Sequence, residues 1–181
     1  MEIKNRSDFG EFLAERGTLG TAAEVGVAEG RYSLEICQWG VEHLYLVDLW
    51  AYVPNGPGDL GQSTEFHNAN YRGCMDRIKD YSHMVTVLRG RTVTMAERIP
   101  DGYLDFLHLD AAHDKINVTA DLEAYYPKLK PGGIASGHDY LAKQYGVKEA
   151  VDEFAAGLGI RVHAIDTDRP NDACFWFEKD S

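Results

Sequence analysis

The sequence predicts an α/β fold: a three-layer αβα sandwich on a mostly parallel, seven-stranded sheet with an antiparallel strand at its C-terminal end. Three observations carry this expectation. Seven short, β-forming apolar runs are separated, along most of the chain, by segments whose apolar residues recur at helical spacing. Strands that alternate with helices imply right-handed crossovers between parallel neighbours. Only the turn-rich segment 166–172 (DTDRPND) separates the last two runs, and so short a connection joins antiparallel strands.

The elements follow in order. Residues 7–16 read as a first helix covering the sheet, and 21–27 (TAAEVGV) as the first strand, with a glycine-containing turn leading to a helix over 32–39. The second strand is 43–49 (HLYLVDL). Residues 51–63 are too rich in Pro and Gly for a strand or helix, and form a loop that is either a lid over the site or a plain surface insertion. A helix spans 64–78, a third strand 83–88, and a short connection 93–99. The fourth strand, 104–109 (LDFLHL), ends at Asp110. In the helix over 116–126, Val118, Leu122 and Tyr125 share one face. The Pro-Gly-Gly run at 131–133 closes that unit before a fifth strand at 133–137. Val147, Ala150, Val151 and Phe154 mark a helix over 147–156, and the closing strands are 161–165 and 173–177.

A length of 181 residues fits a single domain spanning 1–181, and a composition that is 44% hydrophobic and 26% charged supplies one core. The formal net charge of −11 argues against a nucleic-acid partner, whose phosphates require cationic side chains. Three widely spaced cysteines, Cys37, Cys74 and Cys174, form no Cys-x-x-Cys pair, which points to a reducing compartment. Nothing near Met1 resembles a signal peptide, and no apolar run reaches the length of a membrane helix. The expected setting is cytoplasmic, with no membrane partner; a homodimer is compatible with the sequence but not specified by it.

In open parallel sheets, ligands bind beyond the carboxyl ends of the strands, where strand order reverses. The first crossover reads Glu24-Val25-Gly26-Val27-Ala28-Glu29-Gly30, and Asp48 ends the second strand 22 residues after Gly26. That spacing is close to the roughly 20 residues that separate a glycine turn from a ribose-binding acid. The middle glycine of a dinucleotide fingerprint is missing, so a nucleoside without phosphates fits better than a nicotinamide dinucleotide.

The run AEVGVAEGRYS resembles the first motif of class I S-adenosylmethionine-dependent methyltransferases, and LYLVDLW resembles their second. FLHLDAAHDKINVTADLEAYYPKLKPGGIASGHDY is similar to the later blocks of the small family 24 methyltransferases, which are related to sugar and macrolide O-methyltransferases. The resemblance implies a Rossmann-like fold binding S-adenosylmethionine. The first motif (Glu24, Gly26, Val27, Ala28, Gly30) would face the methionine part, Asp48 would hold both ribose hydroxyls, and Leu49 or Trp50 would flank the adenine. Arg91 and Thr92, just after the third strand, would also meet the adenine ring, and Asp110 would border the cofactor.

Asp110, His113 and the pair His138-Asp139 follow strands four and five and should converge on the same rim. Methyl transfer to a hydroxyl needs help in removing its proton, from a divalent cation or a general base. Catechol-type relatives bind magnesium with an Asp after strand four and an acidic–amide pair after strand five, so the resemblance implies a site at Asp110, His138 and Asp139. His138 departs from that pattern, and imidazole suits manganese, zinc or iron better than magnesium. A metal-free reaction would instead use His113 or His138 as base, and a purely structural role would have Asp110 and Asp139 capping helices. The acceptor expected is a small molecule or glycan with a free hydroxyl. A nicotinamide-dependent oxidoreductase and a non-catalytic binding module are the competing readings.

Overall fold

Thr21–Val25 (β1) and Leu104–Leu109 (β4) are buried along their whole length, as strands covered by helices on both faces must be. The computed structural model describes residues 2–56, 58–143, 145–165 and 173–180. His43–Asp48 (β2) pairs parallel to β1, and Val85–Arg89 (β3) pairs parallel to β2. On the other side, β4 pairs parallel to β1 and Leu129–Gly137 (β5) pairs parallel to β4. Cys174–Glu178 (β7) inserts antiparallel between β5 and the edge strand His163–Ile165 (β6), giving the order β3-β2-β1-β4-β5-β7-β6. The turn expected at 166–172 lies outside the described residues.

Alternation of side chains across the strands divides the core in two. Ala23, Val25, Leu107 and Leu109 face helices Thr92–Ala96 (α4), Lys115–Tyr125 (α5) and Val147–Leu158 (α6). Ala22, Phe106 and Ile134 face Phe9–Glu15 (α1), Arg31–Gln38 (α2) and Thr64–Arg77 (α3). The result is the three-layer sandwich that the sequence predicts.

Boundaries move where turn chemistry intervenes. β1 stops at Val25, because Gly26 at φ +90° and Ala28 at φ +49° turn the chain out of the strand. β3 starts at Val85, because Lys79–Met84 is a 3-10 turn. β5 begins at Leu129 although it contains Pro131. The ladder shifts register between Leu104 and Phe106, and at such an irregularity a missing N–H costs little. Among the described residues no helix is long and apolar enough to cross a membrane, and the three cysteines are buried and form no disulfide.

Strand register also lines up polar groups inside the α1–α2–α3 face. Glu24 pairs with His108, and His108 with Ser136, so three buried polar side chains cross the sheet in one row. Ser33 on α2 donates its hydroxyl to Glu24, and His108 Nδ1 lies 2.8 Å from Ser136 Oγ. Burial pushes the Glu24 carboxyl up to about 8 and holds the His108 imidazole well below its ordinary value, so this row is uncharged at neutral pH. Glu24 therefore contributes stability that is complete below its ordinary pKa of 4.5 and is lost as pH rises through about 8. Glu24→Gln mimics the protonated side chain. In thermal melts of the ligand-free protein, its advantage over wild type should widen between about pH 5 and about pH 8.5; a constant difference across that range would contradict the assignment.

Candidate functional site

Strand order reverses between β1 and β4, so the carboxyl ends of these strands open a crevice. The turn leaving β1 forms its floor. A Cβ on Gly26 would overlap the carbonyl of Asp110, and Gly26 N donates to Val47 O at 2.8 Å. Gly30, at φ +73°, is hemmed in from the other side, since a Cβ there would lie 2.6 Å from Cys74 Sγ on α3. Both positions thus exclude a side chain by handedness and by space.

Asp48 holds this turn in place. Its Oδ2 accepts the N–H groups of Val27 (2.8 Å) and Ala28 (2.9 Å), and its Oδ1 accepts that of Trp50 (2.8 Å). These bonds support two left-handed non-glycine residues, Ala28 and Trp50, a conformation costing about 1–2 kcal/mol each. A carboxylate has roughly four acceptor positions, so Asp48 keeps room for about one more donor. Trp50, expected beside the adenine, is buried: its Nε1 donates to Ala28 O at 2.8 Å and its ring meets Tyr71 edge-on. It is a pillar under the turn, and the half-buried Leu49 is its neighbour toward the opening. Arg89, at the end of β3, donates to Trp50 O and lies over the Tyr71 ring.

Arg91 is exposed and precedes α4, while Thr92 begins that helix. The Thr92 hydroxyl donates to the buried Asp121 on α5, and Tyr125 Oη donates to Thr92 O at 2.8 Å. The sequence reading did not single out Asp121, although a carboxylate on the same helical face as Val118, Leu122 and Tyr125 was a visible signal. Burial raises its pKa to about 6.

The acidic and histidine cluster forms where β4 and β5 end. Ligating atoms of Asp110, His113 and Asp139 lie within 4.8 Å of one another. His113 Nε2 is 3.0 Å from Asp139 Oδ2 and 3.6 Å from Asp110 Oδ1, yet it is buried and aligned for a hydrogen bond with neither. Asp110, and then Asp139, push the His113 pKa up to about 9 against the cost of its burial. The two histidines in turn hold Asp139 below the usual carboxylate range, overcoming a larger opposing effect of burial. His138 stands slightly apart, its Nδ1 3.5 Å from Asp139 Oδ1 and 3.9 Å from Asp110 Oδ1. The compact group therefore contains His113 where the sequence reading placed His138. Neither aspartate caps a helix: Asp114 caps α5, and α6 starts after Gly146.

The loop after β5 completes the wall. Gly146 N donates to His113 O at 2.7 Å, and the Tyr145 ring stacks on the His113 ring at 4.5 Å and 19°. Leu109, Asp110, His113, Asp121, His138 and Phe175 line a narrow cleft beside it. A further group without a role in the sequence reading is His67, buried on the same face of α3 as Cys74 with no hydrogen-bond partner for Nε2 among the described residues.

The residues present suit both groups that the sequence resemblance implies, S-adenosylmethionine and a divalent cation. Gly26 and Gly30 let the turn pack tightly on Asp110 and Cys74, which shapes the backbone that the amino-acid end of S-adenosylmethionine would meet, and Asp48 retains an acceptor for its ribose. The ligand atoms of Asp110, His113 and Asp139 lie within 4.8 Å of one another, with the closest pair, His113 and Asp139, at 3.0 Å, so two carboxylates and an imidazole can reach one ion.

Comparison with known proteins agrees with this geometry. A family model described as a methyltransferase domain matches residues 23–140. An uncharacterized protein of Sinorhizobium fredii is 30% identical over 76 residues, a match covering 42% of this chain and 8% of that protein's length. Among solved structures, the O-methyltransferase NovP superposes with TM-score 0.71 at 20% identity, covering 97% of this chain and 78% of NovP. An O-methyltransferase from Bacillus cereus, in complex with S-adenosylhomocysteine, gives TM-score 0.68 at 16% identity, covering 96% and 80%. At these identities the structural likeness speaks for the fold, while the family match spans well over half of the chain. The chain belongs to this methyltransferase family, and its fold is that of the class I S-adenosylmethionine-dependent enzymes.

Proposed function

We propose that the protein transfers the methyl group of S-adenosylmethionine to a hydroxyl of a small molecule, sugar or glycan, with a divalent cation held by Asp110, His113 and Asp139. The observation that carries this reading is the contact between the glycine turn and the acidic cluster: Gly26 packs on the Asp110 carbonyl. A hydroxyl at the cluster then lies beside whatever fills the turn, which is the proximity an in-line displacement needs. S-adenosylmethionine supplies a methyl group on a sulfonium, already a good leaving group. A cation at the cluster lowers the pKa of a neighbouring hydroxyl.

The chain's own residues do the remaining work. Asp48 and the backbone of 26–30 fix the donor, and Asp110 and Asp139 orient the acceptor oxygen. Tyr145 presents a ring face against which a sugar or a flat ring can rest. An imidazole in the ligand set favours manganese, zinc or iron over magnesium.

The contact between Asp139 and His113 favours a second reading, a metal-free reaction with His113 as base. With a pKa near 9, His113 is protonated at neutral pH and a poor base there. Without a metal, activity would therefore rise with pH through about 9.

The deciding experiment is a methyl-transfer assay over a panel of hydroxylated acceptors, with and without chelator, beside calorimetry with S-adenosylhomocysteine. Activity should vanish on chelation and return with manganese. Full activity in chelator would leave the His113 base, and failure to bind S-adenosylhomocysteine would end both readings. Asp139→Asn should cut turnover by about a hundredfold or more while changing S-adenosylhomocysteine affinity less than about threefold. Because His113 must lose its proton to become a ligand, manganese affinity should fall by about tenfold per pH unit below about 9. Calorimetry in buffers of different ionisation enthalpy reads that proton, and a pH-independent affinity would exclude His113 from the ligand set.

A further inference from the structure

We propose that Arg6 binds the α-carboxylate at the methionine end of S-adenosylmethionine, so that the N-terminal segment completes the cofactor site. This rests on the cofactor reading above and assigns a role to a residue outside the matched region 23–140.

Arg6 opens a 3-10 turn, Arg6–Asp8, that is held rigidly. Ser7 N donates to Asn5 Oδ1 at 2.9 Å, while Asp8 accepts Lys4 N (2.8 Å), Asn5 N (3.1 Å) and Asn5 Nδ2 (3.0 Å). The nearest carboxylate in sequence is thus turned back into its own turn. Phe9, the next residue, is fully buried and packs on Phe106 of β4 at 5.2 Å, which fixes the turn's place on the sheet.

From that place the Arg6 guanidinium lies 4.7 Å over the ring of Tyr32, whose hydroxyl donates to Arg6 O at 3.2 Å. Tyr32 follows the glycine turn by two residues, and its ring stands 4.5 Å from that of His108. Through the Tyr32 ring, which stands against His108 of β4, Arg6 is held on the side of the sheet that carries Glu24 and His108, and its charge acts on both. Among the described residues the guanidinium makes no ion pair and donates no hydrogen bond. A half-buried Arg is thus oriented by an aromatic face with its five donors unspent.

The chemistry of the ligand supplies the partner. The methionine end carries an ammonium and a carboxylate. Asp48 and Asp110 suit the ammonium and the sulfonium, but Gly26, Val27, Ala28 and Gly30 offer no charge to the carboxylate. Arg6 is a cation beside this turn, with the planar fork that pairs with a carboxylate through two hydrogen bonds.

The test is a comparison of two ligands across variants, by calorimetry on the full chain at about 0.15 M salt, where long-range charge effects are screened. S-adenosylmethionine is compared with decarboxylated S-adenosylmethionine, which lacks that one carboxylate. Arg6→Gln and Arg6→Ala should weaken S-adenosylmethionine by about tenfold to a hundredfold, the span of a lost charge-assisted pair. The decarboxylated ligand should bind these variants as tightly as it binds wild type, or more tightly, and Arg6→Lys should fall between. An equal loss for both ligands would mean that the turn had merely loosened, and would overturn the proposal; so would no loss for either. If wild type binds neither ligand, the cofactor reading itself fails, an outcome distinct from these.

Discussion

The backbone of Gly26 lies against the backbone of Asp110 and Ala111, and the arrangement of the site follows from that contact. β1 and β4 are neighbours in the sheet but their crossovers leave in opposite directions, so only their exits can touch at the rim. A side chain at Gly26 would hold the exits apart and separate the glycine turn from the acidic cluster. Because the contact is made between main chains, it sets their relative position more rigidly than interlocking side chains would. Asp48 fixes the turn from the β2 side through three N–H groups, and the segment 110–113 is fixed from the β5 side through the Gly146 N–H.

Electrostatically, the rim and the layer beneath it are opposites. At the rim, each of His113 and His138 is made more basic by the carboxylates around it, and the histidines hold Asp139 ionised. One step below, Glu24 and His108 are too deeply buried to carry charge and are neutral. A neutral polar layer under a charged one keeps the field of the cluster directed outward, and it does so without placing an unpaired ion in the core.

Much of this was legible in the sequence because it depends on local rules. Alternation and turn residues located all seven strands, and the absence of a middle glycine separated a nucleoside from a dinucleotide. What was not legible depends on contacts between distant segments. Pro131 reads as a stop, and only the bulge opposite Leu104–Phe106 lets it sit inside β5. Spacing cannot choose between His113 and His138, since the choice depends on how the loop ending at Gly146 folds back on 113. Asp48 ends β2 as the sequence predicts, but its bracing of the turn involves an Ala28 in a left-handed conformation that no propensity would assign to alanine. Arg6 meets Tyr32 across 26 residues, a separation that no local pattern bridges.

Asp139 shares that unusual handedness, with φ +59°. Among residues with a side chain, aspartate and asparagine tolerate this region best, while longer or branched side chains are strained there. The position is therefore filtered twice, once for charge and once for backbone shape, and a carboxylate passes both filters only in its shortest form. Moving that carboxylate outward by a single methylene, through a glutamate, would tax the backbone as well as the geometry of the cluster. Few replacements at this corner of the rim can satisfy both demands at once.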